Sequence, residues 1–152
     1  MKYLILSLLL FSFILWIWLS KSKKKKERLK DLLRKGLKNP YQFEMFAREY
    51  LRENGFKSVK TTRKSKDFGA DIVAKRHGRT VVFQVKMRSS VVEKSVVKEL
   101  IAAAYIYGAT EVGIFTNTEI SKGLERELKN LEVLKGFIKR VHIVKNVTLE
   151  EV

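Results

Sequence analysis

Phe43, Phe46, Ala47, Tyr50 and Leu51 recur at spacings of three and four, the stripe of a helix with one buried face. Pro40 suits the first turn of that helix and Gly55 its end. Beyond Gly55 the period shortens. SVKTTR, ADIVAKR and TVVFQVKM read as three strands, the last two joined at His77-Gly78, and VVEKSVVKELIAAAYIYG reads as a second helix stopped by Gly108. EVGIFT follows as a fourth, apolar strand. The pattern is helical again from about Glu119 to Leu134, VHIV predicts a fifth strand, and TLEE a capped final turn. The order α-β-β-β-α-β-α predicts an α/β sandwich: an antiparallel meander, then a helical crossover to a parallel fourth strand, with helices flanking a mixed sheet.

The first 38 residues follow a different rule. YLILSLLLFSFILWIWL, residues 3–19, contains no charge, and as a helix it would extend ~26 Å, close to the ~30 Å of a bilayer core. Trp16 and Trp18 fall where an aromatic belt would sit, and Lys21, Lys23, Lys24, Lys25 and Lys26 follow at once. No small-x-small cleavage pattern follows the apolar run. The expectation is an uncleaved single-pass membrane anchor over 1–20, with the remainder on the cytoplasmic side by the positive-inside rule. Residues 21–38 would form a polybasic linker attracted to anionic headgroups, in which Leu29, Leu32, Leu33 and Leu37 suggest a short amphipathic helix on the membrane surface. One folded domain, 39–152, is expected beyond it.

Charge narrows the partners. The formal net charge is +16, and half of it lies in Lys21–Lys38, where ten Lys and Arg face only Glu27 and Asp31. The folded part remains basic, as a nucleic-acid binder would be. Absence of cysteine excludes disulfides, thiolate zinc and cysteine nucleophiles, and two histidines in separate segments argue against a histidine cage. Any metal would rest on oxygen ligands.

The hairpin GADIVAKRHGRTVVFQVK holds the candidate chemistry. If His77-Gly78 is a two-residue turn, Asp71 stands opposite Gln84, and Lys86 points to the same face. A carboxylate, an amide oxygen and an ammonium then converge, while Ile72, Ala74, Val81, Phe83 and Val85 form the core face. An ordinary hairpin with one wet face has the same alternation, but aspartate is a poor strand residue and needs a partner or a ligand. Glu44 borders the buried face of the preceding helix and can look toward the same space, or it can serve only the helix dipole.

FEMFAREYLRENGFKSV, KDFGADIVAKRHGRTVVFQVK and IAAAYIYGATEVGIFTN, in this order and spacing, resemble the Mrr-type restriction endonuclease domain of the PD-(D/E)xK nuclease superfamily over roughly residues 41–130. The resemblance implies a restriction-endonuclease-like core and a metal-dependent DNA endonuclease, several relatives acting on modified foreign DNA. It makes Asp71 the motif aspartate, Gln84 and Lys86 the QxK pair, and Glu44 the first-helix glutamate. Asp71, Gln84 and Glu44 become the ligands of Mg²⁺ or Mn²⁺, with Lys86 orienting the nucleophile. Gln84 stands where an acid is commoner, which leaves the site one carboxylate poorer. Arg48, Arg63, Lys64, Lys66 and Arg88 are expected to contact DNA phosphates, with Asp67, Thr116 and Asn117 near matching family positions. One site per chain points to a homodimer or to two encounters for a double-strand cut. A non-cleaving DNA-binding module at the membrane, a membrane-surface adaptor that meets lipid and protein, and a junction-resolvase-like nuclease are the other readings.

Overall fold

A computed structural model describes residues 2–62, 69–133 and 136–148. Helix α1 (Lys2–Gly36) leads into α2 (Pro40–Glu53), and strands β1 (Lys57–Thr61), β2 (Ile72–Arg76) and β3 (Arg79–Lys86) follow. Helix α3 (Val96–Ile106), strand β4 (Glu111–Thr116), helix α4 (Lys122–Val133) and strand β5 (Arg140–Val144) complete the order. The five strands form one sheet in sequence order. β1, β2 and β3 are antiparallel neighbours, whereas β3, β4 and β5 run parallel, so each parallel pairing is bridged by a helix. This is the meander and crossover expected from the sequence, with the fifth strand in place. The final turn expected at TLEE runs beyond the described residues.

Helices cover both faces of the sheet. Ile72, Ala74, Val81, Phe83, Val85 and Phe115 pack with Phe43, Phe46, Ala47 and Leu51 of α2, while Val82, Val112 and Ile114 on the other face pack with Val96, Leu100 and Ala103 of α3 and Leu124 and Leu128 of α4. β3 is therefore buried on both sides from Val81 to Val85. Along that stretch β3 has no wet face, whereas β2 keeps Lys75 exposed. An unbroken apolar run such as TVVF is what a strand with two covered faces carries.

Asn39 caps α2, its side chain accepting from the Gln42 amide at 2.9 Å, a bond of the kind that stabilises a helix start by about 1 kcal/mol. Helix α3 starts five residues later than the apolar spacing of Val91 and Val92 predicts. Val92 is held instead in a parallel bridge to Ile120, giving its amide to Glu119 and its carbonyl to Ser121.

The N-terminal expectation needs correcting. Among the described residues no helix is long and apolar enough to cross a membrane. The apolar stretch passes without a break into the lysines within the same helix, Lys2–Gly36. The single-pass anchor and the cytoplasmic placement derived from it fall with that finding. Nor do Leu29 and Leu33 lie on a membrane surface: both are buried in the core against α2. Burying a leucine contributes about 1.5–3 kcal/mol. Arg28 pairs with Glu49 and Glu53, and Lys25 with Glu53, tying the basic half of α1 to α2.

At the start of β4 the carboxylate of Glu111 is 2% exposed and takes His142 at 2.7 Å and Arg79 at 3.3 Å. Burial pushes its pKa up, but the bonds from His142 and Arg79 and the nearby charge of Arg140 outweigh burial and hold it below the ordinary 4.5. Because the folded pKa lies below the unfolded one, the stabilisation is complete above the ordinary glutamate range and is lost as pH falls through the folded value. Urea unfolding over the acid range should show the native protein losing stability more steeply than Glu111→Gln; equal slopes would remove Glu111 from the account.

Candidate active site

The turn fixes the register that gathers the polar residues. His77 and Gly78 both have positive φ, 48° and 78°, and Arg76 pairs with Arg79 and Ile72 with Phe83 across them. This left-handed two-residue turn matches the twist of the strands it joins. Asp71 extends the ladder past Ile72, its amide donating to the Phe83 carbonyl at 2.9 Å. Its carboxylate then turns along the sheet: Oδ2 accepts the Val85 amide at 2.7 Å, standing in for the backbone carbonyl that β2 no longer supplies. That charge-assisted bond is the partner an aspartate in a strand requires.

Gln84 and Lys86 share the face of Val82, under α3. Gln84 is 6% exposed, and its Oε1 is buried with no hydrogen-bond partner among the described residues. A buried acceptor left unsatisfied costs about 1–3 kcal/mol, so such an atom marks a place for a ligand. Lys86 reaches across to α3, where its Nζ donates to Glu99 Oε2 at 2.8 Å. Glu99 was not among the residues singled out from the sequence.

The loop into β2 is pressed against the same point of α3. At Gly69, with φ +84°, a Cβ would stand 2.8 Å from the Glu99 carbonyl oxygen and 3.1 Å from its Cα and Cβ. Only glycine permits this approach, which sets the segment carrying Asp71 beside Glu99. A cleft of about 170 Å³ opens here, lined by Lys86, Arg88, Ser90, Glu93, Ser95 and Glu99 among others.

The remaining expected site residues divide. Glu44 lies on α2, in the layer opposite α3, and is half-buried. Its neighbour Phe43 packs on Phe115 at 5.5 Å, and Phe115 pairs with Val85, so the first turns of α2 overlie the same end of the sheet as Asp71 and Lys86. Arg48 donates to Glu49 at 3.0 Å, in a cluster with Arg28 and Arg52 on the α1 side of the helix. Arg88 is exposed on the cleft. Its backbone is gripped in both directions by the Asn117 side chain: Arg88 N donates to Oδ1 at 2.8 Å, and Nδ2 donates to the Arg88 carbonyl at 2.9 Å. Thr116 is buried at the end of β4. Arg63, Lys64, Lys66 and Asp67 lie outside the described residues.

Among the described residues, no three His, Asp or Glu side chains form a metal cage. Mg²⁺ does not require one. It takes hard oxygen donors, keeps several waters, and is held by one or two carboxylates together with substrate phosphate. The Asp71 carboxylate and the buried Gln84 oxygen are donors of the kind such an ion takes.

The restriction endonuclease family Mrr_cat matches residues 37–148, about three quarters of the chain. The chain belongs to this family. Mrr_cat membership takes in both α2 and the hairpin, and begins at the end of α1. No curated protein matches the sequence. Two solved structures share the fold of this Mrr_cat chain. A protein of unknown function, AF1548, superposes with a TM-score of 0.50 at 23% identity, over 69% of this chain and 56% of its own. The DNA modification-dependent restriction endonuclease AspBHI superposes with a TM-score of 0.55 at 16% identity, over 80% of this chain and 33% of its own. The chain thus spans little more than half of the first and a third of the second.

Proposed function

We propose that the protein is a divalent-metal-dependent DNA endonuclease, and that Asp71, Gln84 and Lys86 are its working residues. The observation that carries this is the buried Gln84 oxygen, unpartnered among the described residues, on the strand face it shares with Lys86, with the Asp71 carboxylate bonded to the Val85 amide between them, in a chain of the restriction endonuclease family. Asp71 and Gln84 hold Mg²⁺ or Mn²⁺, and Glu44 approaches from α2 to hold a water or a second ion. A bound ion polarises the scissile phosphoryl group and lowers the pKa of its water. Lys86, only 17% exposed in its side chain, supplies a fixed positive charge toward the phosphate and orients the attacking water. Arg88, on the rim of the cleft, contacts the DNA backbone, and Arg63, Lys64 and Lys66 extend that contact. Foreign or modified DNA is the substrate class proposed by analogy with AspBHI, a DNA modification-dependent restriction endonuclease. A cut through both strands needs two chains or two encounters.

Plasmid, linear duplex and branched DNA, methylated and unmethylated, incubated with the protein and Mg²⁺ or Mn²⁺ should be nicked or cut. EDTA should stop the reaction, and Lys86→Met should slow it by about a hundredfold or more. DNA that is bound but intact with every substrate and both metals, or cleavage that persists in EDTA, would overturn the assignment.

A further inference from the structure

Gln84 leaves β3 with an amide where a second carboxylate would serve a divalent ion better, and α3 brings one to the same place. Glu99 Oε2 lies 2.8 Å from Lys86 Nζ, on the face of the sheet that also carries the buried, unpartnered Gln84 Oε1. The backbone of Glu99 is fixed against Gly69, two residues before Asp71, at a distance that admits no side chain. One contact comes from the loop into β2 and the other from β3. They place Glu99 between the Asp71 segment and Lys86, at the mouth of the cleft.

Resting on the endonuclease reading, we propose that Glu99 is the second metal-facing carboxylate of the site, contributed by α3 in compensation for Gln84, and that it is held by Lys86 until the ion arrives. A hard cation needs charge as well as oxygen atoms, and an amide oxygen supplies no charge. On the α3 side of the sheet, with Glu44 in the opposite layer, Asp71 alone would set one formal negative charge next to the positive Lys86. Adding Glu99 gives two carboxylates and an amide oxygen, a set suited to an ion that also uses water and phosphate. In the ion pair Glu99 neutralises Lys86 and keeps its ammonium in place; a Glu99 carboxylate turned to an ion would leave that charge to face the phosphate.

Mn²⁺ binding to the full chain, without DNA, separates the alternatives by counting free and bound ion with electron paramagnetic resonance. Glu99→Gln should weaken binding about tenfold or more, and it should do so again in a Lys86→Met background, where a carboxylate that served only as counter-ion to Lys86 would have no effect. Lys86→Met alone should tighten binding. Glu93→Gln, on the same cleft but exposed, should change affinity by less than about twofold because solvent screens it. Glu99 is 43% exposed in its side chain, so the amide is accommodated, and melting temperatures verify folding. Wild-type affinity in Glu99→Gln, or equal weakening by Glu93→Gln, overturns the assignment of Glu99 and leaves the endonuclease reading standing. Absence of any Mn²⁺ site in the native protein, or a site untouched by Asp71→Asn, overturns both.

Discussion

Asp71→Asn should fold with near-native stability and cut DNA on the order of a thousandfold more slowly. A metal-held transition state draws several kcal/mol from such a site, and each ~1.4 kcal/mol is a factor of ten in rate. The fold tolerates this change because the asparagine oxygen can still accept the Val85 amide, which is 2.7 Å from Asp71 Oδ2. Asp71→Ala differs. It leaves the Val85 amide without an acceptor at the end of a buried strand, which costs about 1–3 kcal/mol. The two substitutions therefore split the structural role from the chemical one: both lose cleavage, and only alanine lowers the urea midpoint. An asparagine variant that cuts within about tenfold of the native rate would remove Asp71 from the chemistry.

Gly113→Ala should lower the stability of the fold by about 1–3 kcal/mol or more. Phe83, Gly113 and His142 are partners in a row across β3, β4 and β5. The rings of Phe83 and His142 lean together over the glycine, their centroids 5.9 Å apart, and Phe56 closes on Phe83 edge-on at 5.2 Å. A Cβ on Gly113 would stand 2.2 Å from Phe83 Cε1 and 2.4 Å from Cδ1. The ring is fully buried and has nowhere to retreat. Overpacking costs about 1–3 kcal/mol and more when neighbours cannot move, against a total of roughly 5–15 kcal/mol for a domain. Chemical denaturation should show the midpoint falling sharply, with partial recovery when Phe83→Leu is added to remove the clashing ring carbons. An unchanged midpoint for Gly113→Ala would contradict this packing.

The hairpin was legible in the sequence because two local rules agree there: a His-Gly pair able to take positive φ, and a side-chain period of two. Together they put Gln84 and Lys86 on one side and Phe83 and Val85 on the other, as the structure has them. Local rules cannot say what covers a face. Val82 shares the polar side with Gln84, and only the docking of α3 turns that side from solvent-facing to buried. Glu99 was invisible for the same reason, since its meeting with Lys86 depends on how a helix thirteen residues away settles on the sheet. The N-terminal stretch misled differently. Its apolar and basic halves, read as anchor and linker, belong to one continuous helix, and the basic half buries Leu29 and Leu33 against a neighbour no local pattern reveals.

The double grip of Asn117 on Arg88 has a mechanical meaning. β3 and β4 end their ladder at Lys86 and Thr116, and a strand's last rung is usually where it frays. Here a side-chain amide, presenting a donor and an acceptor side by side, imitates one further peptide unit and continues the pairing past Lys86. The lysine is thus an interior rung of a stiff lattice. In the proposed role a phosphate would be brought to Lys86, because the strand that bears the charge is held in place.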